Sequence, residues 1–174
     1  MKEAAPPARP ARALPPPIVA RRSKIQGRGV FATRGIAEGE RIVEYTGARI
    51  SSEEADANAP DDEGPKRHHT FLFAVDDHVV IDGAVGGNDS RFMNHSCEPN
   101  CEVVISRQRV FIHALCDIAD GEELVYDYWY TTDESYTLED LRRIYPCRCG
   151  TEACRGTLAR PPAPRRARKK VASR

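Results

Sequence analysis

Three cysteines fall within eight residues near the C-terminus, in the run Cys147-Arg148-Cys149-Gly150-Thr151-Glu152-Ala153-Cys154-Arg155-Gly156. Glycines bend the backbone between them, and the spacing has the form of a metal knot. Structural zinc takes four ligands at the corners of a tetrahedron, and this run offers three. The fourth has to come from a distant part of the chain, so the C-terminus must fold back onto it. Cys97 is the natural donor and His95 the competing one, since both lie in a strongly polar loop. Cys101 and Cys116 lie in alternating apolar segments and read as small buried residues. No apolar export signal precedes them, which favours a reducing compartment and thiols or metal ligands over disulfides.

That loop is Arg91-Phe92-Met93-Asn94-His95-Ser96-Cys97-Glu98-Pro99-Asn100-Cys101. Asn94, His95, Ser96 and Asn100 each donate and accept hydrogen bonds. Pro99 bars a central strand and Asn94 disfavours one, so a sharp polar loop is expected after Phe92-Met93. A turn that satisfies only its own backbone is the plain alternative.

Two further segments carry chemistry. Gly27-Arg28-Gly29 permits close backbone approach to a ligand, but it lacks the third glycine and helix start of a dinucleotide site. In Gly121-Glu122-Glu123-Leu124-Val125-Tyr126-Asp127-Tyr128-Trp129-Tyr130, alternation sends Tyr126 and Tyr128 to one face of an extended segment. Paired phenols there can narrow an apolar slot while offering hydroxyls, although aromatic core packing would leave the same pattern.

The zero formal charge hides an asymmetry. Of 26 basic and 26 acidic residues, six and one fall in residues 1–24 and seven and none in 159–174, which leaves 13 against 25 between them. An acidic body suits a basic polypeptide partner. Residues 1–20 and 159–174 are rich in Pro, Ala and Arg and read as disordered tails, open to non-specific nucleic-acid contact. No apolar run is long enough to span a bilayer. The centre reads as short strands: Arg41–Tyr45, a hairpin from Thr70–Val75 and His78–Ile81, a pair Cys101–Ile105 and Arg109–Ala114, and Glu123–Tyr126. Short helices are expected after the serines at 51 and 52 and over Leu138–Ile144, with a mobile insertion at 58–66. The fold class is mostly β.

Gly27-Arg28-Gly29, Glu44-Tyr45-Thr46-Gly47, the run 91–100, Glu123-Leu124-Val125-Tyr126-Asp127-Tyr128 and the cysteine knot followed by Arg155-Gly156 occur together in this order. Over roughly residues 22–158 the chain resembles a SET-domain protein-lysine methyltransferase with a post-SET zinc motif. The resemblance implies small curved β-sheets, a pseudoknot through the Asn94–Cys97 segment, and few short helices. It divides the chain into a SET domain at 21–130, with a variable insertion at 51–69, and a zinc-bound post-SET segment at 131–158. No cysteine-rich segment precedes the domain, so a minimal SET plus post-SET unit is expected.

The resemblance also implies roles. S-adenosylmethionine would contact Gly27, Arg28 and Gly29 through backbone groups, with Arg91, Asn94 and His95 around its amino-acid and adenine ends and Leu158 packed on the adenine. Phe71 stands where many relatives carry a cofactor-contacting tyrosine. Tyr128 matches the catalytic tyrosine, Tyr45 and Tyr126 line a lysine channel, and one structural Zn²⁺ is held by Cys97, Cys147, Cys149 and Cys154. A tyrosine at position 126 keeps a hydroxyl that crowds out extra methyl groups, so mono- or di-methylation is expected. The insertion grips substrate in such enzymes, and His68-His69 within it read as solvated. The expected substrate is a histone or another basic protein, handled by a monomer. The setting is the cytoplasm and nucleoid of a bacterium, or the nucleus and chromosome of a eukaryote or host. A catalytically weak SET module that binds chromatin or DNA through its tails is the other reading.

Overall fold

The computed structural model describes residues 15–57, 71–130 and 135–160. The expectations for residues 1–14, for the loop 58–66 with His68 and His69, and for the tail 161–174 lie outside the described residues. No helix among the described residues is long and apolar enough to cross a membrane.

The described residues form ten short strands, two short α-helices and one 3-10 turn (Asp89–Phe92), as their alternating apolar pattern leads one to expect. The larger sheet contains β1 (Ile18–Arg22), β2 (Arg28–Ala32), β3 (Arg41–Tyr45), β7 (Asn94–His95), β8 (Cys101–Ser106), β9 (Arg109–Ala114) and β10 (Glu123–Tyr126). Its path runs β1-β2-β10-β8-β9-β3, with β7 attached to β10. A smaller sheet pairs β4 (Ala48–Ser51) with β6 (Val79–Asp82), and β6 with β5 (Leu72–Ala74). β9 shows how period-two patterning works here: Val110, Ile112 and Ala114 are buried while Arg109, Phe111 and His113 face away. The main core gathers Val30, Ile42, Met93, Ile112 and Leu124, and a second one joins Tyr45, Val75, Ile81 and Val110 under the smaller sheet.

Both helices begin on reciprocal caps. At α1 (Ser52–Ala57), Ser51 Oγ accepts from the Glu54 amide and the Glu54 carboxylate accepts from the Ser51 amide at 2.9 Å. At α2 (Leu138–Ile144), Thr137 and Asp140 do the same, and Leu141 is fully buried.

The structure corrects four boundaries. Ile18–Arg22 is a full antiparallel partner of β2, from Ile18 opposite Ala32 to Arg22 opposite Arg28, so order begins before residue 20. At the other end Ala159 is fully buried, bridges Tyr130, and is followed by an Arg160 amide donating to the Tyr130 carbonyl. Asn94 and His95, expected in a loop, pair in parallel with Val125 and Tyr126. Cys101 is buried as expected, but Cys116 is exposed because β9 ends at Ala114.

Candidate active site and metal centre

Two strand ends bring the tyrosines together. Tyr45 closes β3, Tyr126 closes β10, and Tyr128 lies two residues further on. The Tyr126 and Tyr128 ring centroids are 5.0 Å apart, so the two phenols do share a face. Phe73 from β5 links them to Tyr45, with centroids 5.3 Å from Tyr45 and 6.4 Å from Tyr126. Gly83 makes room for this arrangement, because a Cβ there would sit 2.6 Å from the Tyr45 hydroxyl. Two hydroxyl protons are already committed: Tyr45 donates to the Phe71 carbonyl at 2.6 Å and Tyr128 to the Met93 carbonyl at 2.8 Å. Burial holds all three phenols above their ordinary pKa, so they stay protonated. The result is an aromatic site in which the Tyr45 and Tyr128 oxygens keep lone pairs and have no proton left to give.

The polar run supports this site from behind. The Asn94 amide donates to the carbonyls of Gln26 and Arg28 at 3.2 and 3.0 Å and to the Glu123 carboxylate at 2.9 Å. It thereby ties the glycine loop to β10. A Cβ at Gly29 would overlap the Glu123 carboxylate and crowd Ser23, so a larger residue there must displace the side chain that Asn94 holds. His95 is 3 % exposed and accepts at Nδ1 from the Tyr128 amide at 3.2 Å. Burial drives its pKa down to about 4, against the pull of Asp127, and the imidazole is neutral. Arg91 donates to the Gly83 carbonyl at 2.9 Å and lies over the Phe92 ring, which Arg28 covers at 3.9 Å. Its Nε is buried with no hydrogen-bond partner among the described residues. Phe71 meets Phe92 edge-on with centroids 5.4 Å apart. A separate cleft of about 360 Å³, between Pro15–Pro17 and strands β3 and β9, shares no lining residue with this site.

The four sulfurs of Cys97, Cys147, Cys149 and Cys154 lie within 4.8 Å of one another. A tetrahedral Zn–S bond of about 2.3 Å implies sulfur–sulfur edges of about 3.8 Å, and Cys97 and Cys147 are 3.8 Å apart. Backbone amides of Cys149, Arg155 and Gly156 point at the sulfurs of Cys147, Cys97 and Cys154, each at 3.4 Å. Such N–H groups favour thiolates, the form that a metal takes. Burial holds the Cys97 and Cys147 thiols above their ordinary value, whereas at Cys149 the Thr151 hydroxyl and nearby amides outweigh burial and bring it down to about 6. His95 is not a ligand in this arrangement. Its Nε2 lies 3.4 Å from Cys97 Sγ, at hydrogen-bonding distance. The four-cysteine set fits a metal ion.

A family model, "SET domain", matches residues 27–129. The chain belongs to the SET-domain family. Relatives of this SET domain include histone-lysine N-methyltransferase 2B from Homo sapiens, 41 % identical over 141 residues, covering 79 % of this chain and 5 % of the relative. The trithorax histone-lysine N-methyltransferase of Drosophila virilis is 39 % identical over 147 residues, covering 79 % and 3 %. An H3 lysine-4 specific histone-lysine N-methyltransferase from Saccharomyces cerevisiae is 38 % identical over 152 residues, covering 82 % and 13 %. The chain thus spans a small fraction of the length of the curated relatives it matches.

Several residues that shape the site were not singled out from the sequence. Glu123 accepts from Asn94 and Ser23, Phe73 bridges the tyrosines, and Asp127 forms an ion pair with Arg155 at 2.6 Å. Asp127 stands between the two tyrosines and Arg155 directly follows Cys154, so position beside a motif was the available signal.

Proposed function

We propose that the chain is an S-adenosylmethionine-dependent protein-lysine N-methyltransferase acting on a histone or another basic protein. The reading is carried by the aromatic site of Tyr45, Phe73, Tyr126 and Tyr128, where two hydroxyl oxygens are left as acceptors. The names of the relatives and the acidic body support the substrate class.

S-adenosylmethionine, when bound, supplies a methyl group on a sulfonium. Gly27, Arg28, Gly29, Phe71, Arg91, Asn94, His95 and Leu158 would hold it, and the four cysteines would hold a structural Zn²⁺. The protein residues work on the lysine. A free lysine amine has a pKa of about 10.4, and the dry aromatic surroundings favour its neutral, nucleophilic form. The ring walls fix the direction of the amine, which supplies catalysis through orientation. Tyr45 and Tyr128 oxygens accept from polarised C–H or N–H groups and cannot compete as donors for the amine lone pair. The Tyr126 phenol crowds the slot and favours mono- or di-methylation. A chromosomal setting follows from such a substrate, in a nucleus or a nucleoid.

Incubation with labelled S-adenosylmethionine and a cell lysate, with the modified residue mapped by mass spectrometry, tests the reading. Label on lysine that disappears with Tyr128→Phe is the expected result. Absence of transfer from wild type leaves a binding module instead.

A further inference from the structure

The chain leaves the described fold beside the tyrosine site. Ala159 is fully buried and bridges Tyr130, and the Arg160 amide donates to the Tyr130 carbonyl at 2.8 Å. The Arg160 guanidinium lies over the Trp129 ring, 4.3 Å from its centroid. Trp129 directly follows Tyr128 and is 53 % exposed; its amide donates to Asp127 Oδ1 at 3.1 Å. The Tyr130 ring lies 5.7 Å from that of Tyr128. A backbone bond and a cation–π stack thus fix the root of residues 161–174 next to Tyr128.

Beyond that root the sequence reads Arg160-Pro161-Pro162-Ala163-Pro164-Arg165-Arg166-Ala167-Arg168-Lys169-Lys170, with no acid as far as residue 174. Lysine occurs in this chain only at positions 2, 24, 66, 169 and 170. Lys24 sits in the turn between β1 and β2. Lys66 follows Asp61-Asp62-Glu63, a run that an acidic body repels. Lys2 precedes Pro15, which lines the separate cleft beside β3 and β9. Only Lys169 and Lys170 combine a basic context with a root at the site. Lys169 is nine residues beyond Arg160, a reach of up to about 30 Å, whereas Tyr130 and Tyr128 are at most about 8 Å apart between Cα atoms. A tether of that length keeps a lysine at the site at an effective concentration on the order of millimolar, and the acidic body adds attraction.

We propose that the C-terminal segment is an intramolecular substrate, with Lys169 and Lys170 methylated in cis. The proposal rests on the reading that the site transfers methyl groups from S-adenosylmethionine to lysine. The lysine ammonium sheds one proton to water, and the Nζ lone pair then forms the N–C bond. The S–C bond breaks with its electron pair kept by sulfur, so the products are methyl-lysine and S-adenosylhomocysteine.

The test incubates the metal-loaded full chain with labelled S-adenosylmethionine and no other protein, and maps the label by mass spectrometry. Label is expected at Lys169, Lys170 or both. The rate per chain should stay constant as protein concentration is varied about a hundredfold, because the step is intramolecular. The double variant Lys169→Arg/Lys170→Arg keeps the tail's charge; it should lose self-labelling and still methylate histones. In a mixture with wild type, Tyr128→Phe chain marked with heavy nitrogen should keep an unmodified tail. Label at Lys2, Lys24 or Lys66 in place of the tail overturns the proposal. So does a rate per chain that rises in proportion to concentration, or a modified tail on the marked chain. Wild type that methylates histones but not itself contradicts only this proposal, whereas wild type that methylates neither contradicts the proposed function.

Discussion

A phenol has one proton to give and two lone pairs, and its use depends on where that proton already goes. Tyr128 gives its proton to the Met93 carbonyl, so what it offers the site is an oxygen acceptor. Tyr128→Phe keeps the ring and removes that oxygen, and kcat should fall by roughly 10²- to 10³-fold with little change in cofactor affinity, as read by steady-state kinetics and calorimetry. Tyr126→Phe removes the crowding hydroxyl, and mass spectrometry of the products should show a higher mean methyl count per lysine. An unchanged distribution would sink the crowding argument. His95 behaves as a neutral scaffold. Its folded pKa of about 4 lies below the unfolded value of about 6.5, so its contribution to stability is complete above the latter and is lost as pH falls towards the former. Its ring resonances should therefore stay flat between about pH 5 and 8 in an NMR titration. These residue types were legible in the sequence; the partners of the Tyr45 and Tyr128 hydroxyls and of His95 Nδ1 were not, because each is a backbone group far away in the chain.

Elements carry a different lesson. The strands with alternating apolar residues, β3, β8, β9 and β10, stand where the sequence pattern places them. Ile18–Arg22 did not announce itself, because Pro15-Pro16-Pro17 before it and Arg21-Arg22 within it give the composition of a linker. Its ladder with β2 supplies the order that its own residues do not signal. The turn between β8 and β9 puts Arg107 and Gln108 at φ 50° and 59°, where glycine or asparagine is usual. Arg49 braces it by donating to the Gln108 carbonyl at 2.8 Å. The pairing of Asn94-His95 with β10 was likewise hidden, since two residues carry no period. At Gly29 the element sets a prediction: Gly29→Ala should destabilise the fold by about 1–3 kcal/mol through forced repacking and loosen the Asn94–Glu123 bond, measurable by denaturant unfolding and by weaker cofactor binding. An unaltered midpoint would contradict the close approach described for this loop.

At the scale of the whole molecule, two features meet: an acidic body and a C-terminal segment tied back by four sulfurs. The first implies salt-sensitive encounter with a basic substrate, so kcat/KM for a histone should fall as ionic strength rises while kcat holds. The second was foreshadowed by the three late cysteines and the demand for a fourth ligand, and the fold supplies Cys97. Cys97→Ser should lower bound zinc below one per chain and lower the thermal midpoint, because metal affinity here is also folding energy. Metal content and a melting curve check both. The account as a whole joins this centre to the tyrosine site. Its most direct test is methyl transfer from S-adenosylmethionine onto purified histones by one preparation that is metal-loaded, stripped with chelator, and reloaded with zinc. The account predicts methyl-lysine from the loaded protein, loss on stripping and recovery on reloading; equal transfer without metal, or none with it, would contradict it.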